Sequence, residues 1–332
     1  MQVVVSCDYL ISPAFCEPEN LAEKVGDLIA IKREMENGGN RVILEAKSLE
    51  KLAELNYYPC APLFNKNIPR ELRGEFSAKD IAKVVHNIAS MIVDEECLLP
   101  ECAADWDVKD FDPELCGITH ERLNALTQLV EDVFLAGHFH NRLYSILHHP
   151  LDQKTNFIKI SGEITSSIPA FDTPPPLELE DRVKVFSAYG EFLSEFNFND
   201  MYANARTPEQ IHEAILLGAS SLIQSAGVGA IRKFSLGDSF IESLDAHQCA
   251  PGQRYAGTAF DVISHVVASV PKYPHNPMYS DLEKKEQKTK QGFLAWRTQI
   301  TKGNPALRLM YWSEGDDIVL ANVGNKKELK IL

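Results

Sequence analysis

The sequence predicts an α/β N-terminal domain followed by an α+β C-terminal domain that ends in an antiparallel β-meander, and three observations carry this. The chain opens with an apolar run at residues 2–6, a helical pattern over 20–37 and a second apolar run at 41–45, a β-α-β start that implies parallel strands. Residues 166–181 hold four prolines and no periodicity, as a linker does. Three alternating runs at 295–300, 306–312 and 317–323, with Gly303 and Gly315 between them, close the chain. A length of 332 residues suits two domains. The boundaries read as 1–165 for the α/β domain, 166–181 for the linker and 182–332 for the α+β domain.

Each element follows from local pattern. Leu21, Val25, Leu28 and Ile29 fall at helical spacing, and Gly38-Gly39-Asn40 stops that helix. A short helix is expected over 49–55, and Ser77 caps one running to Val93. A long helix is expected from Thr119 to His148, halted by Pro150, with a strand over 156–160. The second domain is expected to open with a helix over 180–196. Thr207-Pro208-Glu209-Gln210 then starts another, and a third runs from Thr258 to Pro271. The charged stretch 281–293 also reads as helical.

Charge and composition limit the function. Hydrophobic residues make up 45% and charged residues 24%, and no window approaches the ~18 consecutive apolar residues of a membrane span. The N-terminus lacks a basic region before its apolar run, which argues against an export signal and for a cytoplasmic protein whose seven cysteines are thiols or metal ligands. A net charge of −14 excludes a protein whose whole surface tracks nucleic acid. Basic residues are denser after 282, so an RNA partner is expected at the C-terminal end; the acidic surface and the 119–148 helix suit a protein partner.

Four constellations could carry chemistry. Cys97-x4-Cys102-x13-Cys116-x3-His120 pairs soft ligands across a loop and could close a structural zinc shell; ordinary buried thiols are the plainer reading. Arg142 and His148 have the spacing of the pair in HEPN ribonucleases, although Leu143 stands where those enzymes carry a polar residue. Asp8, after the first strand, resembles the leading acid of PIN-type nucleases, in which clustered carboxylates hold a divalent metal; Glu45, Asp80 and Asp94 are its candidate companions.

The fourth lies in the final strands. Arg308-Leu-Met-Tyr311, the turn at 313–316, Ile318-Val319-Leu320 and Lys326-Lys327 follow the order R-x-x-Y, turn, apolar strand, basic residue. Over about the last sixty residues this resembles the RelE-type superfamily of toxin endoribonucleases. The resemblance implies that Arg297, Arg308, Tyr311, Lys326 and Lys327 bind RNA phosphates and relay protons with no cofactor required. It makes the chain a toxin-like or phage-defence ribonuclease. The alternatives are a non-catalytic protein-binding subunit of a defence complex and a metal-dependent nuclease working from the N-terminal half. Strand alternation sets Arg308 and Tyr311 on opposite faces unless a bulge intervenes.

Overall fold

In the computed structural model of the chain, the residues described are 1–73, 77–91, 98–113, 120–149, 157–170, 174–226, 229–281, 283 and 285–332. The chain forms two compact units, Met1–Met35 with Asn40–Phe192 and Glu36–Gly39 with Leu193–Leu332.

The first unit is built on six strands: β1 (Gln2–Val5), β2 (Val42–Leu44), β3 (Ala103–Asp112), β4 (Tyr144–Leu147), β5 (Phe157–Ile168) and β6 (Leu177–Phe186). They lie in the order β2-β1-β4-β6-β5-β3. β1 is parallel to β2 and β4, and β4 is parallel to β6. β5 is antiparallel to both β6 and β3. The expected β-α-β start is present, with the Leu21–Glu36 helix between β1 and β2. All residues of β2 and β4, and Val3, Val4 and Val5 of β1, are buried, as in parallel strands covered on both faces. The His120–His140 helix supplies Leu126, Leu129, Val130, Val133 and Phe134 to a core shared with Val4, Ile146, Ile160 and Val185.

Four expectations need correction. The 119–148 helix stops at His140, where Asn141 takes φ 49° and the Arg142 N–H donates to the Gly137 carbonyl at 3.2 Å. This is a Schellman stop with asparagine in the left-handed position, and it releases Tyr144–Leu147 to become a central strand. Arg142 and His148 therefore do not share a helix, and the HEPN arrangement is absent. The helix expected over 180–196 is confined to Tyr189–Leu193; residues 180–186 are the end of β6, whose Leu177-Glu-Leu-Glu and Val183-Lys-Val alternate with period two. The linker expected at 166–181 begins within β5 and ends within β6, with residues 171–173 outside the described residues, and the division between units falls at Phe192/Leu193. The charged 281–293 stretch holds the short strands Glu286–Gln287 and Thr289–Lys290 where a helix was expected.

The acidic 103–112 segment, expected as the loop between the candidate zinc ligands, is instead the edge strand β3. Its inward residues change parity at a bulge, so that Ala104 and Trp106 pack against the core on one side of Asp107 and Phe111 on the other. Gly162 lets β3 approach, since a Cβ there would stand 2.1 Å from the Val108 carbonyl oxygen.

The second unit sets the helices Pro208–Ala226, Phe240–Ala246 and Ala256–Val267 against one face of a mixed sheet. Its four longest strands are β7 (Lys233–Leu236), β8 (Phe293–Gln299), β9 (Leu307–Glu314) and β10 (Asp317–Asn325), and the short strands Asn276–Pro277 and Thr289–Lys290 also pair with β8. The expected meander is present: β8, β9 and β10 are sequentially antiparallel, and β7 adds to β10 in parallel. The β9–β10 turn uses Gly315 at φ +53°. No helix among the described residues is long and apolar enough to cross a membrane.

Candidate functional site

Three parallel strands deliver polar residues to one edge of the first sheet. β1 runs into Ser6, Cys7 and Asp8; β2 into Glu45; β4 into His148 and His149. From β1 the chain passes to β2 on one side, while β4 lies on the other, so this is a topological switch point. In open parallel sheets, crevices form at the carboxyl ends of the strands at such points.

The arrangement follows from local structure. Ser6 ends β1 with extended backbone, and its Oγ accepts from the Tyr9 N–H at 3.1 Å, capping the Cys7–Leu10 turn. The same oxygen lies 3.1 Å from His148 Nδ1, which ties the ends of β1 and β4 together. The Cys7 N–H donates to Glu45 Oε2 at 2.6 Å, and Lys51 Nζ donates to Glu45 Oε1 at 2.7 Å. Arg122, in the first turns of the His120–His140 helix, places Nη2 2.8 Å from Asp8 Oδ1. Its guanidinium carbon stands 5.0 Å from the Phe15 ring centroid and 5.4 Å from that of Tyr57. Asp8, Glu45, Arg122 and His148 are all 4% exposed or less.

Burial governs the electrostatics. It pushes the Asp8 carboxyl up even against the pull of Arg122, and Glu45 adds a smaller push. Burial likewise raises the Cys7 thiol well above its ordinary value, so Cys7 is an inert thiol and not a nucleophile. His148 is held down to about 3 by burial, then by the charges of Arg122 and His149, so its imidazole is neutral. His149 falls to about 4 for the same first reason, with Lys24 adding to it. Burial pulls Lys51 down, but Glu45 overcomes that and leaves its ammonium favoured.

The carboxyl ends of these strands thus hold two buried carboxylates, each matched by a cation, beside a neutral imidazole. Asp8 and Glu45 were legible in the sequence as candidate acids. Asp80 is exposed in the first turn of the Ala78–Ser90 helix, and Asp94 lies outside the described residues. Arg122, Lys51 and the Ser6–His148 contact were missed. The signal for His148 was its place directly after an apolar run, obscured by assigning that run to a helix. Arg122 had none.

The C-terminal candidates separate. Arg297 and Arg308 share a sheet face, and Arg308 feels the Arg297 charge in addition to its own burial. The Arg308 guanidinium donates to the Leu307 carbonyl at 2.9 Å. Lys326 and Lys327 are exposed beyond β10, with the Lys326 N–H donating to the Ala306 carbonyl at 2.7 Å. Tyr311 does not join them. It is 2% exposed and packs with Leu307 and Leu309 in the helix-facing core, and its hydroxyl meets His275 Nδ1 at 2.8 Å. A bulge does occur opposite Met310 and Tyr311, but the extra residue, Ala321, is on β10, so the alternation of β9 is kept.

Of the expected zinc ligands, Cys97 and Cys116 lie outside the described residues. Cys102 is half-buried, and His120 is exposed at the start of its helix. Among the described residues no group of three or more histidine, cysteine or acidic side chains is placed to hold a metal ion. No family model matches the chain, and searches among curated proteins and solved structures also give no match.

Proposed function

We propose that the protein is a cytoplasmic nuclease acting through its N-terminal unit, with Asp8 and Glu45 as the working carboxylates. The observation that carries this reading is the burial of both acids at the carboxyl ends of adjacent parallel strands. Enclosing ionised groups costs several kcal/mol each, and an apolar pair of similar volume would stabilise the fold as well or better. Such groups are explained by work that apolar side chains cannot do.

Two carboxylates suit a hard divalent cation such as Mg²⁺, which commonly takes one or two protein oxygens and completes its shell with water and substrate phosphate. In that role the cation would polarise the phosphodiester and activate water, while Arg122 and Lys51 neutralise phosphate charge as the acids turn to the metal. An intracellular toxin or phage-defence effector is a setting in which such an activity would be used.

The test is cleavage of single- and double-stranded RNA and DNA with Mg²⁺ or Mn²⁺, repeated with chelator and with Asp8→Asn and Glu45→Gln. Loss of cleavage in all three controls is expected. Cleavage that survives Asp8→Asn, or no cleavage of any substrate, removes the reading. A second reading, a non-catalytic protein-binding subunit, is favoured by the internal matching of Asp8 with Arg122 and Glu45 with Lys51. The C-terminal RelE-like reading loses its proton relay with Tyr311 in the core. It keeps Arg297 and Arg308 as phosphate contacts.

A further inference from the structure

Within the first unit, the helix Ala61–Asn65 and the helix Ala78–Ser90 wall a groove of about 660 Å³ whose lining does not include Asp8. We propose that this groove binds a small phosphate-bearing ligand with a planar or apolar body, of the size of a mononucleotide. Its volume lies within the ~300–1,000 Å³ of small-molecule sites. Its lining divides chemically: Pro62 and Ile68 offer apolar surface, whereas Asn65, Ser77, Arg73 and Lys79 offer polar groups. Ile68 is 4% exposed and so forms a fixed part of the wall, while Arg73 and Lys79 are exposed.

Charge selects the ligand. The chain carries 47 acidic and 33 basic side chains, so a lysine or arginine has acidic partners in excess. Yet among the described residues neither Arg73 nor Lys79 forms an ion pair. Two cations that form no ion pair among the described residues, on one concave surface, suit a dianionic phosphate better than a carboxylate. The apolar side accepts the remainder of the ligand; inorganic phosphate would leave it empty.

The walls are held from behind and need no ligand to form. Phe64 and Ile81, on the two helices, are fully buried or nearly so. Asn67 Nδ2 donates to the carbonyls of Pro13 and Cys16, each at 2.9 Å, which fixes the chain after the first helix. The proposal does not depend on chemistry at Asp8.

Isothermal titration calorimetry of the whole protein with adenosine and uridine 5′-monophosphates, with adenosine and with inorganic phosphate tests it. A nucleotide should bind saturably, with adenosine and phosphate each weaker by about tenfold or more. Lys79→Gln, alone and with Arg73→Gln, should weaken the nucleotide by a similar factor without moving the melting temperature, because both side chains are exposed. Lys66→Gln, an exposed lysine outside the lining, should change nothing. The proposal is overturned by the absence of saturable nucleotide binding up to about 5 mM, by equal binding to the double variant, by an equal loss in Lys66→Gln, or by phosphate binding as tightly as nucleotide. Testing the Asp8→Asn protein in parallel separates this site from the crevice, since its nucleotide binding should match that of the unaltered chain.

Discussion

The two units fill their interiors with different chemistry. Among the described residues every buried Asp, Glu, Lys, Arg and His belongs to the first unit: Asp8, Lys24, Asp27, Glu34, Glu45, Arg122, Glu131 and His148. Among the described residues of the second, the buried polar side chains are those of Ser220, Ser264, Thr298 and Asn322, and its core is otherwise aliphatic and aromatic apart from Cys249. Both pack helices on a sheet, but in the first unit several buried charges also tie segments together: Asp27 accepts from the Tyr189 N–H at 3.0 Å, and Glu131 accepts from the Trp106 indole N–H at 2.6 Å. A core that carries charges at the ends of its parallel strands is where function is expected, and a core without them is where a basic or aromatic residue is expected to be packing or surface.

The sharpest way to break this contrast is to remove one side of the buried pair. Arg122→Leu leaves the Asp8 carboxylate enclosed without its cation and should destabilise the first unit by about 3–5 kcal/mol in denaturant titrations. Adding Asp8→Leu should recover most of that loss, because the double variant no longer encloses a charge. A single-variant cost below about 1 kcal/mol would show that water reaches the pair. The enclosed crevice would then be an open one.

In the second unit the corresponding experiment is subtractive packing. Tyr311→Ala should cost about 3 kcal/mol through the cavity it leaves among Leu307, Leu309 and the helices above. Tyr311→Phe, which removes only the contact to His275, should cost about 1 kcal/mol. If Tyr311→Phe instead abolished an RNA-cleaving activity while leaving stability intact, the meander would be the catalytic unit and the contrast would be reversed.

How far the sequence announces these features depends on the range of the interactions that make them. The β1-helix-β2 start, the capped Pro208–Ala226 helix and the three-stranded meander rest on period, caps and turns, all local, and were legible. The Tyr144–Leu147 strand was not, because four apolar residues read equally as the end of a helix, and the stop depends on Asn141 taking a left-handed conformation that asparagine adopts only sometimes. β6 was misread although its alternation was present in Leu177-Glu-Leu-Glu, since the prolines before it suggested a linker and mark a hairpin. At the candidate site Asp8 was visible from its position after a strand. Its pairing with Arg122, which is 114 positions later, is fixed only by tertiary packing, and no local pattern carries it. The meander shows the opposite case: the residues lie in the expected strands, and the expected alternation, kept because the bulge falls on β10, puts Tyr311 on the side away from Arg308.

The neutral state of His148 distinguishes the units by pH. Its folded value of about 3 lies below the ordinary histidine range, so between pH ~6.5 and ~3 the unfolded chain takes up a proton that the folded chain does not. Stability from this group is complete above pH ~6.5 and should fall by about 1.4 kcal/mol for each unit of acidification in that window. His149 acts in the same direction, and the raised Asp8 carboxyl acts against it. His148→Gln should flatten the acid limb of the first unit's unfolding curve. An unchanged slope would mean that the imidazole is protonated in the fold or that water reaches it.

The smallest expected effect is the one that most directly separates surface from site in the second unit. Arg308 is partly exposed, and its charge is not opposed by a buried acid; its guanidinium reaches the carbonyls of Leu307 at 2.9 Å and Thr301 at 3.4 Å. Arg308→Ala removes those contacts where water can replace them, so the stability change should stay within about 0.5 kcal/mol. The same substitution should leave the nucleolytic activity proposed at Asp8 unchanged at moderate salt, since a solvated arginine contributes at most a phosphate contact that screening weakens. Activity reduced by Arg308→Ala and restored by lowering the salt would make the meander an auxiliary nucleic-acid contact, with the chemistry still in the first unit. Loss of cleavage that low salt does not restore, in a protein of unchanged stability, would instead give Arg308 a part in the reaction and move the active site to the unit whose core holds no charge.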